Sequence, residues 1–176
     1  MTGVVALALF AGDFWDNWRR GVPGDSLWMC HLANLMMGLG LLTGNPFLLR
    51  MGVLWNLLGM PWWLREVLVG QSLSLASYIS HFGGLALALW AMRVPCPGSP
   101  WLAAWVVFVA VQQLCRWVTP MALNVNVSHA VWEGAQSIFS SYRKYWVVTT
   151  LLAGASLFLL NSLLPKMEGE PCDAHD

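Results

Sequence analysis

The sequence predicts an all-α protein: a polytopic transmembrane helical bundle of about five spans, preceded by a short N-terminal interfacial segment. The 176 residues are 57% hydrophobic and 10% charged, whereas soluble domains average about 25% charged residues. Five apolar stretches approach the roughly 20 residues that a spanning helix needs. Many of the 12 tryptophans lie near the ends of these stretches, where aromatic rings anchor helices at the membrane surface.

The elements follow in order. The first, 1–26, is predicted to lie at the membrane surface, because its apolar run, 4–11, is too short to cross and precedes the polar FWDNWRR. The bundle is predicted over 27–164, and a polar tail over 165–176. Turn-forming residues (GNP, GQS, PCPGSP and TP) follow the first four spans. The predicted spans are 27–43, 47–64, 73–93, 101–117 and 145–164.

The connection at 120–142 is the longest and is only half apolar. It is predicted to form an amphipathic or re-entrant helix, which is tolerated at membrane depth only where protein covers it. In such a helix Asn126, His129 and Glu133 would share one face, because their spacing is i, i+3, i+7.

The distribution of basic residues predicts the orientation. With five spans, six basic residues fall on the side of the N-terminus and three on the other side. The positive-inside rule then places the N-terminus in the cytoplasm, in a multi-pass membrane protein. The six are Arg19, Arg20, Arg65, Arg116, Arg143 and Lys144, and the three are Arg50, Arg93 and Lys166.

Charge and cysteine content limit the partners. A formal net charge of +0 gives no electrostatic footprint for nucleic acid, so the predicted partners are membrane lipids or the other subunits of a larger membrane complex. Four cysteines are too few and too scattered for a disulfide scaffold. Cys96 and Cys172, which fall in polar segments, remain candidates for a pair on the outer side.

Histidines in apolar surroundings mark the candidate site. His31 and His81 lie within predicted spans, and His129 lies at a membrane edge. Ionisable side chains are costly in hydrocarbon and, where they occur, usually face the bundle interior at a functional site. Cys30 and Asn34 accompany His31 within about one turn of the first span.

Nucleophilic catalysis is the first chemistry that fits these residues. A thiolate at Cys30, activated by a histidine, would attack an ester, and Asn34 or Asn126 would stabilise the oxyanion. A serine version would use Ser80. This version is weaker, because the neighbouring His81 points about 100° away around a helix.

Two other chemistries remain open. Zinc or iron could be held by histidines and a carboxylate, but the chain lacks the HxxxH and ExxH spacings, so we assign no metal ligand and leave the cofactor undefined. In a non-catalytic protein, the histidines would instead hold a haem or chlorophyll-type ring or line a lipid pocket. The candidate ligands for a zinc or iron ion are His31, His81, His129 and Glu133.

Three motifs follow one another along the chain: MCHLAN in the first span, SHFGG in the third and ALNVNVSH before the last. Their order resembles that of the YwaF-type bacterial membrane proteins and the related animal phospholipid acyltransferases, over about residues 27–160. The resemblance implies acyl transfer by a membrane-embedded cysteine and a later histidine. Cys30 and His81, 51 residues apart, are the matching positions. A more distant resemblance is to the androgen-induced-gene type of lipid hydrolase.

We therefore predict lipid-directed acyl transfer or hydrolysis, with Cys30 as nucleophile and His81 as base. His31 and Asn34 complete the predicted catalytic set. The alternative is a non-catalytic accessory subunit of a membrane complex that binds a pigment, haem or lipid. The residues predicted to bind substrate are Asn124, Asn126, His129 and Glu133.

Overall fold

The computed structural model describes residues 1–166, and this part of the chain contains six α-helices and no β-strand. The all-α prediction is confirmed, and α2 to α6 coincide within a few residues with the five predicted apolar segments. Cys172, and with it a Cys96–Cys172 pair, lies outside the described residues. The helices are α1 (Thr2–Arg19), α2 (Met29–Thr43), α3 (Pro46–Leu68), α4 (Leu75–Ala91), α5 (Pro100–Val118) and α6 (Tyr142–Leu163).

Two of these helices, α5 and α6, are long and apolar enough to span a membrane, judged by length and composition. They have 19 and 22 residues. The apolar helices α2 and α4 are shorter, with 15 and 17 residues, and α3 has 23 residues but includes Arg50, Arg65 and Glu66. The five-span arrangement therefore stays a prediction.

Helix α1 packs antiparallel along α2, and close glycine contacts hold the pair together. A Cβ on Gly3 would lie 3.1 Å from the Gly38 carbonyl oxygen, and a Cβ on Gly38 would lie 2.6 Å from Leu7. At the other end of the pair, Asp13 contacts His31. The apolar run 4–11 is thus part of a longer helix, in which two of the polar residues after the run, Asp13 and Asn17, are buried.

Glycines also bring α2 and α3 together. A Cβ on Gly40 would lie 2.5 Å from the backbone nitrogen of Leu49, and a Cβ on Gly52 would lie 2.7 Å from that of Met37. Such close backbone approach is typical of small residues at membrane-helix interfaces. Trp55, fully buried in α3, donates its indole N–H to the Ala104 carbonyl at 3.1 Å and so connects α3 to α5.

The start of α4 is fixed by Ser74, whose hydroxyl accepts a hydrogen bond from the Ser77 backbone N–H at 3.1 Å. A serine at this position satisfies one of the unpaired amides of the first helical turn. Further along α4, Ser80 contacts Asp13 on α1 and His81 contacts His31 on α2, while the Ser77 hydroxyl accepts a hydrogen bond from the indole N–H of Trp63 on α3 at 3.1 Å.

The segment between α5 and α6 does not form the predicted helix. It consists of single 3₁₀ turns at Met121–Leu123, Val125–Val127 and Glu133–Ala135, and Asn124 and Asn126 adopt positive φ angles of 43° and 51°. Asparagine tolerates this left-handed conformation and bonds to nearby backbone in place of helical hydrogen bonds. The predicted stripe of Asn126, His129 and Glu133 is therefore wrong, because no helical face exists there.

Candidate functional site

Three side chains with ligand or nucleophile chemistry converge where α1 ends and α2 and α4 begin. The sulfur of Cys30, a ring nitrogen of His31 and a ring nitrogen of His81 all lie within 4.8 Å of one another. His31 is 7% exposed and His81 is 3% exposed, while Cys30 is only partly buried. The structure thus brings together three of the four residues predicted to be catalytic, with the cysteine as the accessible member.

His31 is paired with a buried carboxylate on α1. Its Nδ1 lies 2.7 Å from Oδ2 of Asp13, although the contact is not aligned as a hydrogen bond. Asn17, one turn further along α1, donates to the same Oδ2 at 3.0 Å and contacts the Ser26 hydroxyl at 3.2 Å. The carboxylate is therefore held in place against the imidazole.

His81 is oriented from two sides. Its Nδ1 lies 2.8 Å from the Ser77 carbonyl oxygen, and its ring stacks on Trp63 with 4.5 Å between ring centroids and 9° between ring planes. A carbonyl oxygen can only accept, so Nδ1 carries the proton and, in the neutral ring, Nε2 carries the lone pair. Nε2 is buried without a hydrogen-bond partner among residues 1–166.

The two imidazoles also contact each other. Their centroids lie 5.1 Å apart with the rings edge to face at 81°. The Ser80 hydroxyl lies 3.4 Å from Oδ1 of Asp13, so the same carboxylate approaches both α2 and α4. These contacts fix the positions of both rings. Nε2 of His81, which has no partner among the described residues, remains available for a proton or a ligand.

Two buried asparagines lie beside Gly84, one helical turn further into the bundle. A Cβ on Gly84 would collide with Oδ1 of Asn34 and lie 2.8 Å from Nδ2 of Asn56. One hydrogen of the Asn34 Nδ2 is engaged, because it donates to the Ser80 carbonyl at 3.2 Å. Neither polar atom of the Asn56 side chain has a partner among the described residues.

The residues predicted to bind substrate do not join this cluster. Asn124 accepts from the backbone N–H groups of His129 and Ala130, and Glu133 is exposed. The His129 ring contacts the Thr119 hydroxyl at 3.1 Å. Asn124 and His129 are therefore engaged within their own loop.

Asn126 lies nearer the site but performs a structural task. Its Oδ1 accepts from the Met29 backbone N–H at 3.0 Å, and its Nδ2 donates to the Leu27 carbonyl at 2.8 Å. Both ends of this amide are therefore occupied in holding the first residues of α2, immediately before Cys30. Nδ2 also contacts the Cys115 sulfur at 3.8 Å, so both of its hydrogens are engaged and none is left for an oxyanion.

Sequence reasoning missed Asp13, Trp63 and Asn56. A signal existed for Asp13, because Asp13 and Asn17 fall on the same face of a helix as the small residues Gly3 and Ala6, and all four are buried. Asn56, a lone amide in an apolar segment, satisfied the same rule that singled out the histidines. Trp63 carried no signal that separated it from the membrane-surface tryptophans.

Comparison with known proteins gave no match. No family model fits the chain, and neither a curated protein nor a solved structure is similar to it. The resemblance to the YwaF-type family therefore stays a prediction from three short motifs.

Proposed function

We propose that this chain is an integral membrane protein that transfers or hydrolyses acyl groups of membrane lipids, with Cys30 as nucleophile and His81 as base. Two observations carry the proposal: a ring nitrogen of His81 lies within 4.8 Å of the Cys30 sulfur, and Nε2 of the same ring is buried with no hydrogen-bond partner among the described residues. A cysteine beside a histidine that is itself oriented by a third group is the usual arrangement of an activated nucleophile.

The distribution of polar and aromatic side chains supports membrane insertion. On α1, Asp13 and Asn17 are each 2% exposed, whereas Trp15 and Trp18 are 61% and 59% exposed. Only 22% of the residues in the apolar windows of α5 and α6 are buried within the bundle. Buried charge and exposed aromatic surface would be unfavourable in water, but they match a lipid surround with a polar interior.

The arrangement of basic residues supports an orientation. One side of the bundle holds the C-terminal ends of α1, α3 and α5 and the N-terminal end of α6. The six basic residues counted above lie on this side. By the positive-inside rule we place this side in the cytoplasm. Because α1 runs antiparallel along α2, its first residues then lie on the opposite side, which reverses the N-terminal location expected from five spans.

The proposed reaction begins with proton transfer. Nε2 of His81 takes the proton of the Cys30 thiol, and the thiolate attacks the carbonyl carbon of a lipid ester. The carbon–oxygen ester bond then breaks, and His81 returns the proton to the departing lysolipid oxygen. An acceptor hydroxyl, or water in hydrolysis, attacks the resulting thioester and gives its proton to His81, which passes it to the Cys30 sulfur.

The surrounding residues take supporting roles in this proposal. Asp13, through His31, positions His81 and offsets the positive charge that develops on it. Asn56 replaces Asn34 as the oxyanion donor, because its Nδ2 is not already engaged. Asn56 lies one turn before Gly59, whose added Cβ would meet Cβ of Cys30 at 3.3 Å, so both positions face the cysteine side of α2.

The test is the intact mass of the detergent-purified full chain after incubation with phospholipid, together with lysophospholipid release. We expect an acyl-sized adduct and lysophospholipid from the wild type and from the control Cys115→Ala, which removes a buried thiol outside the cluster. Cys30→Ala should give neither product, and His81→Gln should slow both by about 10²–10⁴-fold.

A folded wild type that yields neither adduct nor lysophospholipid would overturn the proposal, and so would full activity of Cys30→Ala. In that case the accessory-subunit alternative becomes the better explanation. It predicts either a visible absorption band from a bound pigment or haem, or other membrane proteins that co-purify with the chain.

A further inference from the structure

We propose that Cys30, His31 and His81 form a binding site for Zn²⁺ or a similar thiophilic transition-metal ion. Within residues 1–166 these three side chains are the group whose donor atoms come within 4.8 Å of one another. A zinc ion with bonds of about 2.0–2.3 Å holds its ligand atoms roughly 3.5 Å apart. Side-chain adjustments of about an ångström therefore close the site around the ion.

The second observation is the buried lone pair of His81. Nδ1 of this ring is tied to the Ser77 carbonyl oxygen, so the neutral ring presents Nε2 as an acceptor, and Nε2 has no donor among the described residues. Only 3% of the residue is exposed. A metal ion satisfies this atom without requiring a donor from the protein.

The contacts behind the ligands are those that metal-binding histidines use. Such a histidine presents one ring nitrogen to the metal, while the other contacts a carboxylate or a backbone carbonyl that fixes the ring. Asp13 supplies the carboxylate behind His31 at 2.7 Å, and Ser77 supplies the carbonyl behind His81 at 2.8 Å. The outer contact of His81 is therefore already present, and that of His31 is present as a close approach that still needs to align as a hydrogen bond.

The charges of the site also favour a divalent ion. Binding displaces the proton of the Cys30 thiol, so one thiolate and the Asp13 carboxylate together offset a charge of +2. A neutral assembly avoids the large cost of an uncompensated charge in a low-dielectric interior. One sulfur and two imidazole nitrogens suit zinc, copper or cobalt, whereas magnesium and calcium prefer oxygen ligands.

Three protein ligands leave one coordination position open. The metal uses the sulfur of Cys30 and the Nε2 lone pair that the proposed acyl transfer requires, so a bound ion would block that reaction. This consequence rests on the proposed function, whereas the metal site itself does not.

The first measurement is a titration of chelator-treated, detergent-purified full chain with Co²⁺, followed by thiolate-to-cobalt charge-transfer absorption and by the metal content of the protein. We expect one ion per chain, displaced by Zn²⁺. Cys30→Ser should abolish the charge-transfer band, and His31→Gln and His81→Gln should weaken binding. Asp13→Asn should weaken it by about 10–100-fold.

Matched controls are Cys115→Ser and His129→Gln, which remove the same groups outside the cluster and should bind as the wild type does. A further measurement needs no variant: Zn²⁺ should slow alkylation of Cys30 in the wild type, read by peptide mass, whereas Mg²⁺, which prefers oxygen ligands, should not. Absence of binding by folded wild type, or binding that survives Cys30→Ser unchanged, would refute the site.

The two proposals fail in different ways. Metal binding without acyl transfer by the metal-free protein would refute the proposed reaction and leave the site standing. Acyl transfer without metal binding would refute the metal site and leave the proposed reaction standing. If both hold, one equivalent of Zn²⁺ should suppress the acyl adduct, and a chelator should restore it.

Discussion

Replacement of Gly52 by alanine tests how closely α2 and α3 pack. The new Cβ would lie 2.7 Å from the backbone nitrogen of Met37 and 2.8 Å from the Ala33 carbonyl oxygen, about 0.7 Å short of ordinary contact at 3.4 Å. Backbone atoms cannot rotate aside, so the two helices must separate. Overpacking of this kind costs about 1–3 kcal/mol.

Gly12→Ala is the matched control. Gly12 is exposed in α1, and nothing lies within 4 Å of an added Cβ. Both substitutions gain the same helix propensity, about 0.8–1 kcal/mol over glycine, so the difference between the two variants isolates the packing cost. We expect Gly12→Ala to exceed Gly52→Ala in free energy of unfolding by about 1–3 kcal/mol.

The assay is a reversible denaturant titration in mixed micelles, followed by far-ultraviolet circular dichroism. Equal stability of the two variants, or greater stability of Gly52→Ala, would refute the close approach of α2 and α3. The helix content of the folded state serves as the check that both variants start from the same structure.

Two further predictions concern a buried indole and a half-buried carboxyl. Trp55→Phe removes the bond to the Ala104 carbonyl and should lower the free energy of unfolding by about 1–3 kcal/mol, whereas Trp117→Phe, at an 87% exposed position, should change it by less than about 0.5 kcal/mol. Burial raises the pKa of the Asp25 carboxyl above its ordinary 3.8, and a side-chain hydrogen bond and neighbouring basic groups offset part of this rise. The folded protein therefore favours the protonated carboxyl, so the free energy of unfolding should fall as pH rises above 3.8. Asp25→Asn should flatten that part of the curve of denaturation midpoint against pH.

The helices α2 to α6 could be predicted because apolar length and turn residues are local signals. GNP, for example, places a left-handed glycine, Gly44, directly after α2 and a proline in the first turn of α3. Proline and glycine restrict the backbone through their own geometry. The boundaries therefore did not depend on tertiary contacts.

The part of the site supplied by α1 could not be predicted in this way. FWDNWRR is typical of a membrane-surface segment, and only its packing against α2 and α4 turns Asp13 inward. The segment after α5 failed for a related reason. Asn126 bonds to Leu27 and Met29, residues about 100 positions earlier, and such distant partners leave no trace in local periodicity.

Some buried polar groups among the described residues have their hydrogen bonds satisfied within the fold and others do not, and this difference bears on the two proposals for the histidine cluster. Arg50, 2% exposed, donates to the carbonyl oxygens of Val94 and Pro165 and so holds the end of α6. Asn126 likewise uses both ends of its amide. These groups complete the fold. Nε2 of His81 and the side-chain amide of Asn56 have no partner among the described residues, and the same holds for the hydroxyls of Ser128 and Thr150 outside the cluster. An unsatisfied buried acceptor costs about 1–3 kcal/mol. What sets His81 apart is its neighbourhood: in the proposals above, a proton from Cys30 or a metal ion held with Cys30 and His31 would recover that free energy at Nε2.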